Sequence, residues 1–394
     1  MRYLIIGGGI AGMTAGEALR KSDAKAEITI VDEEQHPLYS RVLLGHYLKG
    51  KVPRERVFLK QEDWYHQHTI EWLPGTIAEH LDVKNKFVRL SNGREYPYDK
   101  LLIATGTAPR PLDVDLRGVS YLRTIDDADH LLQLLSEQKK GARMGIYGSG
   151  FIACEYLELF RELGLPITLA FRGDRFWSRA LLPEAGELVN KVLVEGGVEL
   201  HTHSNLQDLV GEKELKGFVI EEGTQEVSIL GVGIGVVPDF TWLADAGVEI
   251  GKGIKTDEFL QTNVPDVFAA GDVAEFKDVV LGRQLVIMNW QNAMSQGRHV
   301  AKVMSGEQVP FELVSSYSIN VFGLEAIFLG DVEVSEADEV YVVGSLESGG
   351  ITQVFERNKR VVGGVLLNRN RDRILITKAI KNKQSFSELE FVTD

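Results

Sequence analysis

Short apolar runs that end in glycine alternate along this chain with longer stretches whose apolar residues recur every three or four positions. Residues 2–6, Arg-Tyr-Leu-Ile-Ile, run into Gly7-Gly8-Gly9. A run of that kind predicts a strand buried in a parallel sheet. Ala11, Ala15, Ala18 and Leu19 then fall at helical spacing, and Glu27–Val31 is rich in β-branched residues. Together they predict a strand–helix–strand unit. The pattern recurs with a strand over Arg143–Tyr147, a turn at Gly148-Ser149-Gly150, a helix over Phe151–Leu163 and a strand over Pro166–Phe171. Between the two units, residues 72–104 alternate in short runs around an Asn92-Gly93 turn and predict a β-rich insertion. Leu101–Ala104 is a further buried-strand candidate, Val198–Leu230 is strand-like and turn-rich, and Val267–Ala270 stops at Gly271-Asp272. From about residue 311 the pattern changes to alternating strands followed by a helix near 372–382.

The expected fold class is α/β, with two Rossmann-like, three-layer dinucleotide-binding domains and a C-terminal α+β interface domain. The expected boundaries are 1–118 with 240–310 for the first nucleotide domain, 119–239 for the second and 311–394 for the third. The 394 residues supply material for several cores. A net charge of −14 argues against a general nucleic-acid binder, which needs a basic footprint. The single cysteine, Cys154, excludes an intramolecular disulfide, a redox-active dithiol and a cluster held by four thiolates of this chain. No apolar stretch reaches the length of a membrane span, and the first residues lack the h-region of a signal peptide. A cytoplasmic location is expected.

Gly7-x-Gly9-x-x-Gly12 follows a predicted strand and opens a predicted helix. The first glycine permits the tight turn, the second lets backbone approach a pyrophosphate, and the third allows close helix–strand packing. The helix N-terminus offers free N–H groups and partial positive charge. Asp32 ends the next strand, where a carboxylate accepts ribose hydroxyls, and Glu33 is an adjacent candidate. Gly148-x-Gly150-x-x-Ala153 repeats the fingerprint. Here Phe171 stands where the ribose acid would be, followed by Arg172 and Arg175. A missing carboxylate and added guanidinium groups suit a 2′-phosphate, so NADPH is expected ahead of NADH. The other reading makes both arginines ordinary surface charges.

Six motifs in this order resemble the FAD-dependent pyridine nucleotide oxidoreductases with two dinucleotide folds. They are residues 7–12, Tyr39–Leu44, Ala104-Thr105-Gly106, residues 148–153, Gly235–Pro238 and Ala270-Gly271-Asp272. The most similar branch holds the rubredoxin and ferredoxin reductases and the flavoprotein part of NAD(P)H nitrite reductase. By that resemblance the first cradle and the Thr105-Gly106 turn hold FAD, and the second cradle holds NADPH or NADH. Asp272 binds the ribityl chain, Arg41 lies beside FAD, and the helix start at Asn292 and Ala293 points at the flavin pyrimidine. Glu155 contacts the nicotinamide. Where many relatives carry a lysine paired with this glutamate, the chain has His46. His46 is read either as a proton-linked group or as packing. The resemblance further implies a small redox-protein partner of rubredoxin or ferredoxin type, no integral membrane segment, and a homodimer through the third domain. An NAD(P)H oxidase or quinone reductase is the alternative enzyme reading. A flavin-binding signalling or assembly protein with little turnover is the alternative from another class.

Relatives with a thiol mechanism place a reactive cysteine near 40–46, and this chain has none there. Cys154 falls inside the second nucleotide helix, where a buried small hydrophobe is expected. The pairs His66/His68 and His201/His203 have strand-face spacing but no third ligand pattern, so no metal site is expected. Residues 357–383 carry nine basic side chains and one acid in an otherwise acidic chain. This is a solvated face or a docking patch for an acidic carrier.

Overall fold

The computed structural model describes residues 1–345 and 350–391. Two compact units emerge. The first comprises 1–43, 52–108 and 237–313, and the second comprises 44–51, 109–236 and 314–394.

In the first unit, five parallel strands run in the order Val267–Ala269, Lys100–Ile103, Arg2–Ile6, Glu27–Val31 and Ile70–Leu73. The central strands are apolar on both faces because the sheet is covered on both sides. Tyr3, Ile5 and Leu102 join one core with the helix Ile10–Ser22, while Leu4, Ile6, Leu101 and Ile103 join another with Trp242 and Leu243. Removing a side chain such as Leu102 or Ile5, both fully buried, costs about 2–5 kcal/mol through the cavity it leaves. The sheet order reverses beside Arg2–Ile6, since the chain next adds a strand on one side and later strands on the other. Ligands of open parallel sheets bind at that switch point, beyond the carboxyl ends of the strands. The expected β-rich insertion is a three-stranded antiparallel sheet over residues 78–97.

The second unit repeats the plan. Its parallel strands run Val198–His201, Ile167–Ala170, Met144–Tyr147, Ile229–Val232 and Val119–Ser120. Met144–Tyr147 lies at the switch point. The same unit carries a five-stranded antiparallel sheet in the order Ser316–Val321, Leu324–Gly330, Arg360–Leu367, Gly350–Arg357 and Glu339–Ser345. The helix Arg373–Asn382 packs on that sheet. The sequence suggests a separate third domain there, but packing joins this sheet to the second nucleotide fold. Phe151, at the start of the helix Phe151–Glu162, meets Tyr317 and Phe328 of the sheet edge-on at 4.8 and 5.3 Å between centroids. Such contacts bury large aromatic area and add about 0.5–1.5 kcal/mol each beyond it.

Candidate nucleotide and flavin sites

In the first unit the strand Arg2–Ile6 ends in a turn that only glycine can make. Gly7 has φ +112°, and a Cβ there would lie 2.2 Å from the Ala104 carbonyl oxygen. Gly12 is equally confined, because its Cβ would stand 2.0 Å from the Gly7 carbonyl oxygen. Gly9, by contrast, faces open space and N-caps the helix Ile10–Ser22 without a side-chain cap. The first N–H groups of that helix therefore have no side chain to satisfy them, as an anion-binding helix start requires.

Asp32 follows directly on the second strand and is buried. Burial pushes its carboxyl up to about 6, reinforced by the neighbouring Glu34 charge and opposed by the N–H groups of Glu34 and Gly8. Glu33, the sequence's second candidate, is exposed. Beside Asp32 stands Glu34, which pairs with Arg41 and accepts the Tyr39 hydroxyl. Sequence reasoning missed Glu34. Its signal was the tyrosine and arginine five and seven residues on, which an acid at this strand end can reach together.

Three further segments converge here. The Ala104-Thr105 turn lies against Gly7, leaving Thr105 exposed and Gly106 partly buried. Thr107 donates to Asp272 at 3.4 Å. The Gly271 N–H donates to Gln296 Oε1 at 2.7 Å, and Gly297 sits against the Ala11 backbone, where a Cβ would be 2.2 Å from the carbonyl oxygen. Asn289 caps the helix Trp290–Met304 by accepting from the Asn292 N–H at 2.8 Å. Asn292 and Ala293 are both buried at that helix start. Asn292 donates through Nδ2 to the Ile287 carbonyl at 3.0 Å, while its Oδ1, like Gln296 Nε2, is buried without a partner. Leaving such groups unmade costs about 1–3 kcal/mol apiece, so these atoms fit a site completed by a polar ligand. Gln296 is a second residue the sequence did not single out.

In the second unit Gly148 has φ +129°, and its Cβ would lie 2.2 Å from the Gly233 carbonyl oxygen. Gly150 faces open space and caps its helix without a side chain. Ala153 is fully buried against Gly233, the close packing expected of the third fingerprint position. Phe171 is buried and edge-on to Phe176, so an apolar ring fills the place of the ribose acid. The two arginines part company. Arg172 is exposed. Arg175 donates to the Leu181 carbonyl at 2.9 Å, pairs with Asp174 and lies across Gly186. Its guanidinium is committed to the fold, which weakens its claim on a 2′-phosphate.

Glu155 lies one turn into the same helix and partly buried, and its Oε2 is 2.3 Å from where a Cβ on Gly45 would stand. Burial raises its carboxyl pKa, with the Lys49 charge opposing and the Glu158 charge adding to the rise. His46, which stands where many relatives carry a lysine, is exposed on the neighbouring short helix, Leu44–Leu48. Cys154 is buried and free, and burial holds its thiol well above the ordinary value, so it is no thiolate nucleophile. His68 stacks on Trp64 at 4.0 Å, and His201 approaches Glu199 at 3.4 Å. Among the described residues no three metal-ligating side chains gather, and no helix is long and apolar enough to cross a membrane.

Two glycine cradles at two switch points, each opening an uncapped helix, define a two-dinucleotide oxidoreductase. The sequence profile of the pyridine nucleotide-disulphide oxidoreductases matches residues 1–297, and the chain belongs to that family. Its cofactors are FAD and NAD(P)H, and it is an NAD(P)H oxidoreductase. It is 28% identical to an NAD(P)H nitrite reductase of Bacillus subtilis (strain 168), over 98% of this chain and 48% of that protein, so it spans about half of that relative. It is also 28% identical to the ferredoxin–NAD(+) reductase component of the p-cumate 2,3-dioxygenase system of Pseudomonas putida, over 98% of this chain and 94% of that one. The reductase in a covalent putidaredoxin reductase–putidaredoxin complex superposes with a TM-score of 0.88 at 26% identity, covering 96% of this chain and 93% of that one.

Proposed function

We propose that this protein accepts hydride from NADPH or NADH and passes electrons to a small redox protein of rubredoxin or ferredoxin type. Bound FAD supplies the chemistry, taking a two-electron hydride and giving electrons up one at a time. The chain's own work is to bind, orient and shield. The first cradle, through Gly7, Gly9 and Gly12, receives the flavin pyrophosphate on its helix start, and Asp32 accepts the adenosine ribose hydroxyls. Arg41, Thr105, Gly106 and Asp272 line the rest of the FAD site. The N-terminus of the helix Trp290–Met304, where Asn292 and Ala293 lie, stabilises negative charge at the flavin end through its dipole. Gly148, Gly150 and Ala153 receive the nicotinamide dinucleotide, Arg172 meets a 2′-phosphate, and Glu155 contacts the nicotinamide. The observation that carries the reading is the pair of ordered cradles in a chain whose lone thiol is buried. With no second redox group among its cysteines, the electrons leave to an external acceptor.

The acceptor chemistry is supported by the ferredoxin–NAD(+) reductase relative, with which this chain shares nearly its whole length. The basic segment offers a surface of matching charge. Arg357 is engaged by Asp331 at 3.0 Å, and Arg369 is buried with Asp372 at 2.8 Å. Lys359, Arg360, Arg371, Arg373, Lys378, Lys381 and Lys383 remain exposed there. Such a patch steers an acidic carrier and makes its rate salt-dependent. A reducing cytoplasmic location suits a free buried cysteine, and a homodimer remains part of the proposal. The test is anaerobic reduction by NADPH followed by rapid mixing with rubredoxin, a [2Fe–2S] ferredoxin, a quinone or oxygen. Reoxidation by a carrier at least about tenfold faster than by oxygen or quinone supports the proposal. The reverse order overturns it in favour of an oxidase or quinone reductase, and failure to turn over with any acceptor favours the signalling reading.

A further inference from the structure

The loop of residues 172–182 joins the second fingerprint to the C-terminal sheet, and all three belong to the second unit. The loop is closed on itself. Arg175 donates to the Leu181 carbonyl at 2.9 Å, and the Ala180 and Leu181 N–H groups donate to the Trp177 carbonyl at 2.8 and 2.9 Å. On one side the Trp177 N–H donates to the carbonyl of Ser149, the middle residue of Gly148-Ser149-Gly150, at 3.4 Å. On the other side the C-terminal sheet grips the loop. Gln353 of the strand Gly350–Arg357 is fully buried, accepts from the Leu182 N–H at 3.1 Å and donates to the Ala180 carbonyl at 3.4 Å. The Val334 N–H donates to the Arg179 carbonyl at 2.8 Å. The Trp177 ring lies against Phe328 of the sheet and Phe151 of the second nucleotide helix, with centroids 5.2 and 5.7 Å away.

We propose that Gln353 is a positioning residue for the nicotinamide dinucleotide, holding this loop so that Trp177 sets the direction of a backbone N–H in the second cradle. The proposal rests on the reading of that cradle as the NAD(P)H site and deepens it by naming what aligns it. The Ser149 carbonyl and the Gly150 N–H belong to one planar trans peptide and point in opposite directions. Drawing the carbonyl onto Trp177 therefore turns the Gly150 N–H away from the loop, at the helix start that receives the pyrophosphate. Trp177 does not rest there by itself. Its φ of +50° is costly for a bulky residue and persists only where the surroundings hold it. The Gln353 amide holds the loop three and five residues further on, at Ala180 and Leu182. A loop displaced from that amide leaves a buried donor and a buried acceptor unmet together. The pyrophosphate is common to NADPH and NADH, so the device acts on both alike, unlike a 2′-phosphate contact at Arg172.

The experiment uses two variants that break the grip independently. Gln353→Met keeps the length of the side chain and removes both bonds. Val334→Pro removes the N–H given to Arg179, at the start of a short turn whose preceding residue, Glu333, already has the extended backbone that proline requires. It also serves if the methionine variant does not fold. Hydrogen exchange of the Trp177 amide is measured in the holoenzyme without nucleotide, and binding of NADP⁺ and NAD⁺ to the oxidised holoenzyme is measured by calorimetry. In each variant the Trp177 amide should exchange at least about tenfold faster. Both dinucleotides should bind about tenfold more weakly, in equal proportion, with FAD content full. Val354→Ala truncates the next, fully buried residue of the same strand, whose side chain points to the other face of the sheet. It should lower Tm and leave both affinities in place. Unmoved exchange in both variants, faster exchange with unchanged affinities, loss confined to NADP⁺, or an equal loss in Val354→Ala each overturns the proposal. A wild type that binds neither dinucleotide removes the reading of the second cradle and this proposal with it. In a failure of the proposal alone, the wild type still binds both. Failure of carrier reduction leaves the exchange and binding results standing.

Discussion

Gly8 and Asp32 exclude any side chain between them. A Cβ on Gly8 would lie 1.9 Å from Asp32 Oδ2. The middle residue of Gly7-Gly8-Gly9, which the fingerprint leaves free, is therefore fixed as glycine by the acid it must accommodate. Gly8→Ala should push the Asp32 carboxylate out of place without disturbing the turn at Gly7. The expected result is a folded protein that holds FAD at least about tenfold more weakly, read from the flavin-to-protein absorbance ratio and by titration of the apoprotein. Full flavin occupancy in Gly8→Ala would show that the Asp32 position is immaterial.

Asp32 also gives the apoprotein a stability that depends on pH. Its folded-state pKa of about 6 lies above the ordinary value near 3.8. Between these values the folded form holds the proton more tightly than the unfolded chain. The carboxyl's contribution is then most favourable below about pH 4, falls as pH rises, and is a full penalty above about pH 6. Asp32→Asn should raise apoprotein stability at pH 7.5 by about 2–3 kcal/mol and leave it near wild type at pH 4. In the holoprotein the sign should reverse, because the amide cannot replace the anion toward the ribose. Denaturant melts at both pH values, with and without FAD, check both directions.

The two arginines after the second fingerprint should separate cleanly. Arg172→Ala removes an exposed charge and should raise KM for NADPH by about tenfold, with NADH unchanged and Tm within a degree or two. Arg175→Ala removes a side chain bonded to the Leu181 carbonyl and paired with Asp174, and should cost about 1–3 kcal/mol of stability. Steady-state kinetics with both nicotinamides and thermal melts distinguish them. Equal or better use of NADH by the wild type would end the case for a 2′-phosphate site.

Cys154 should behave as packing. It is fully buried, so an aromatic disulfide reagent should label it only after unfolding. Cys154→Ala should lower stability by about 1 kcal/mol and leave kcat with a carrier protein within twofold. Rapid labelling in the native state, or loss of turnover in Cys154→Ala, would reopen a thiol mechanism.

Charge reversal on the basic face should slow delivery to the acceptor. Lys378→Glu with Lys381→Glu changes two exposed side chains of the helix Arg373–Asn382. The second-order rate with an acidic ferredoxin should fall about tenfold at low salt and converge with wild type at high salt, while reduction by NADPH stays the same. A rate insensitive to salt and to both changes would place docking elsewhere.

Much of this architecture could be read from local pattern. The glycine runs, the double-sided apolar strands and the spacing of Gly7, Gly9 and Gly12 or Gly148 and Gly150 report conformations fixed within a few residues. Phe171 in place of an acid was likewise visible, because it follows its strand as directly as Asp32 follows Glu27–Val31. What the sequence by itself determined is therefore a chain with two dinucleotide cradles and no usable thiol pair. Tertiary structure alone decided which neighbour each side chain meets. It gave Arg175 to Asp174 and the Leu181 carbonyl, and Arg41 to Glu34. It gave Gly271 to Gln296, and it set Gly45 of the short helix against Glu155. It also joined the C-terminal sheet to the second nucleotide fold through Phe151, Tyr317 and Phe328. These partners lie far apart along the chain or turn on side-chain direction. Their pairing depends on burial and on competition among charges, which local periodicity does not encode.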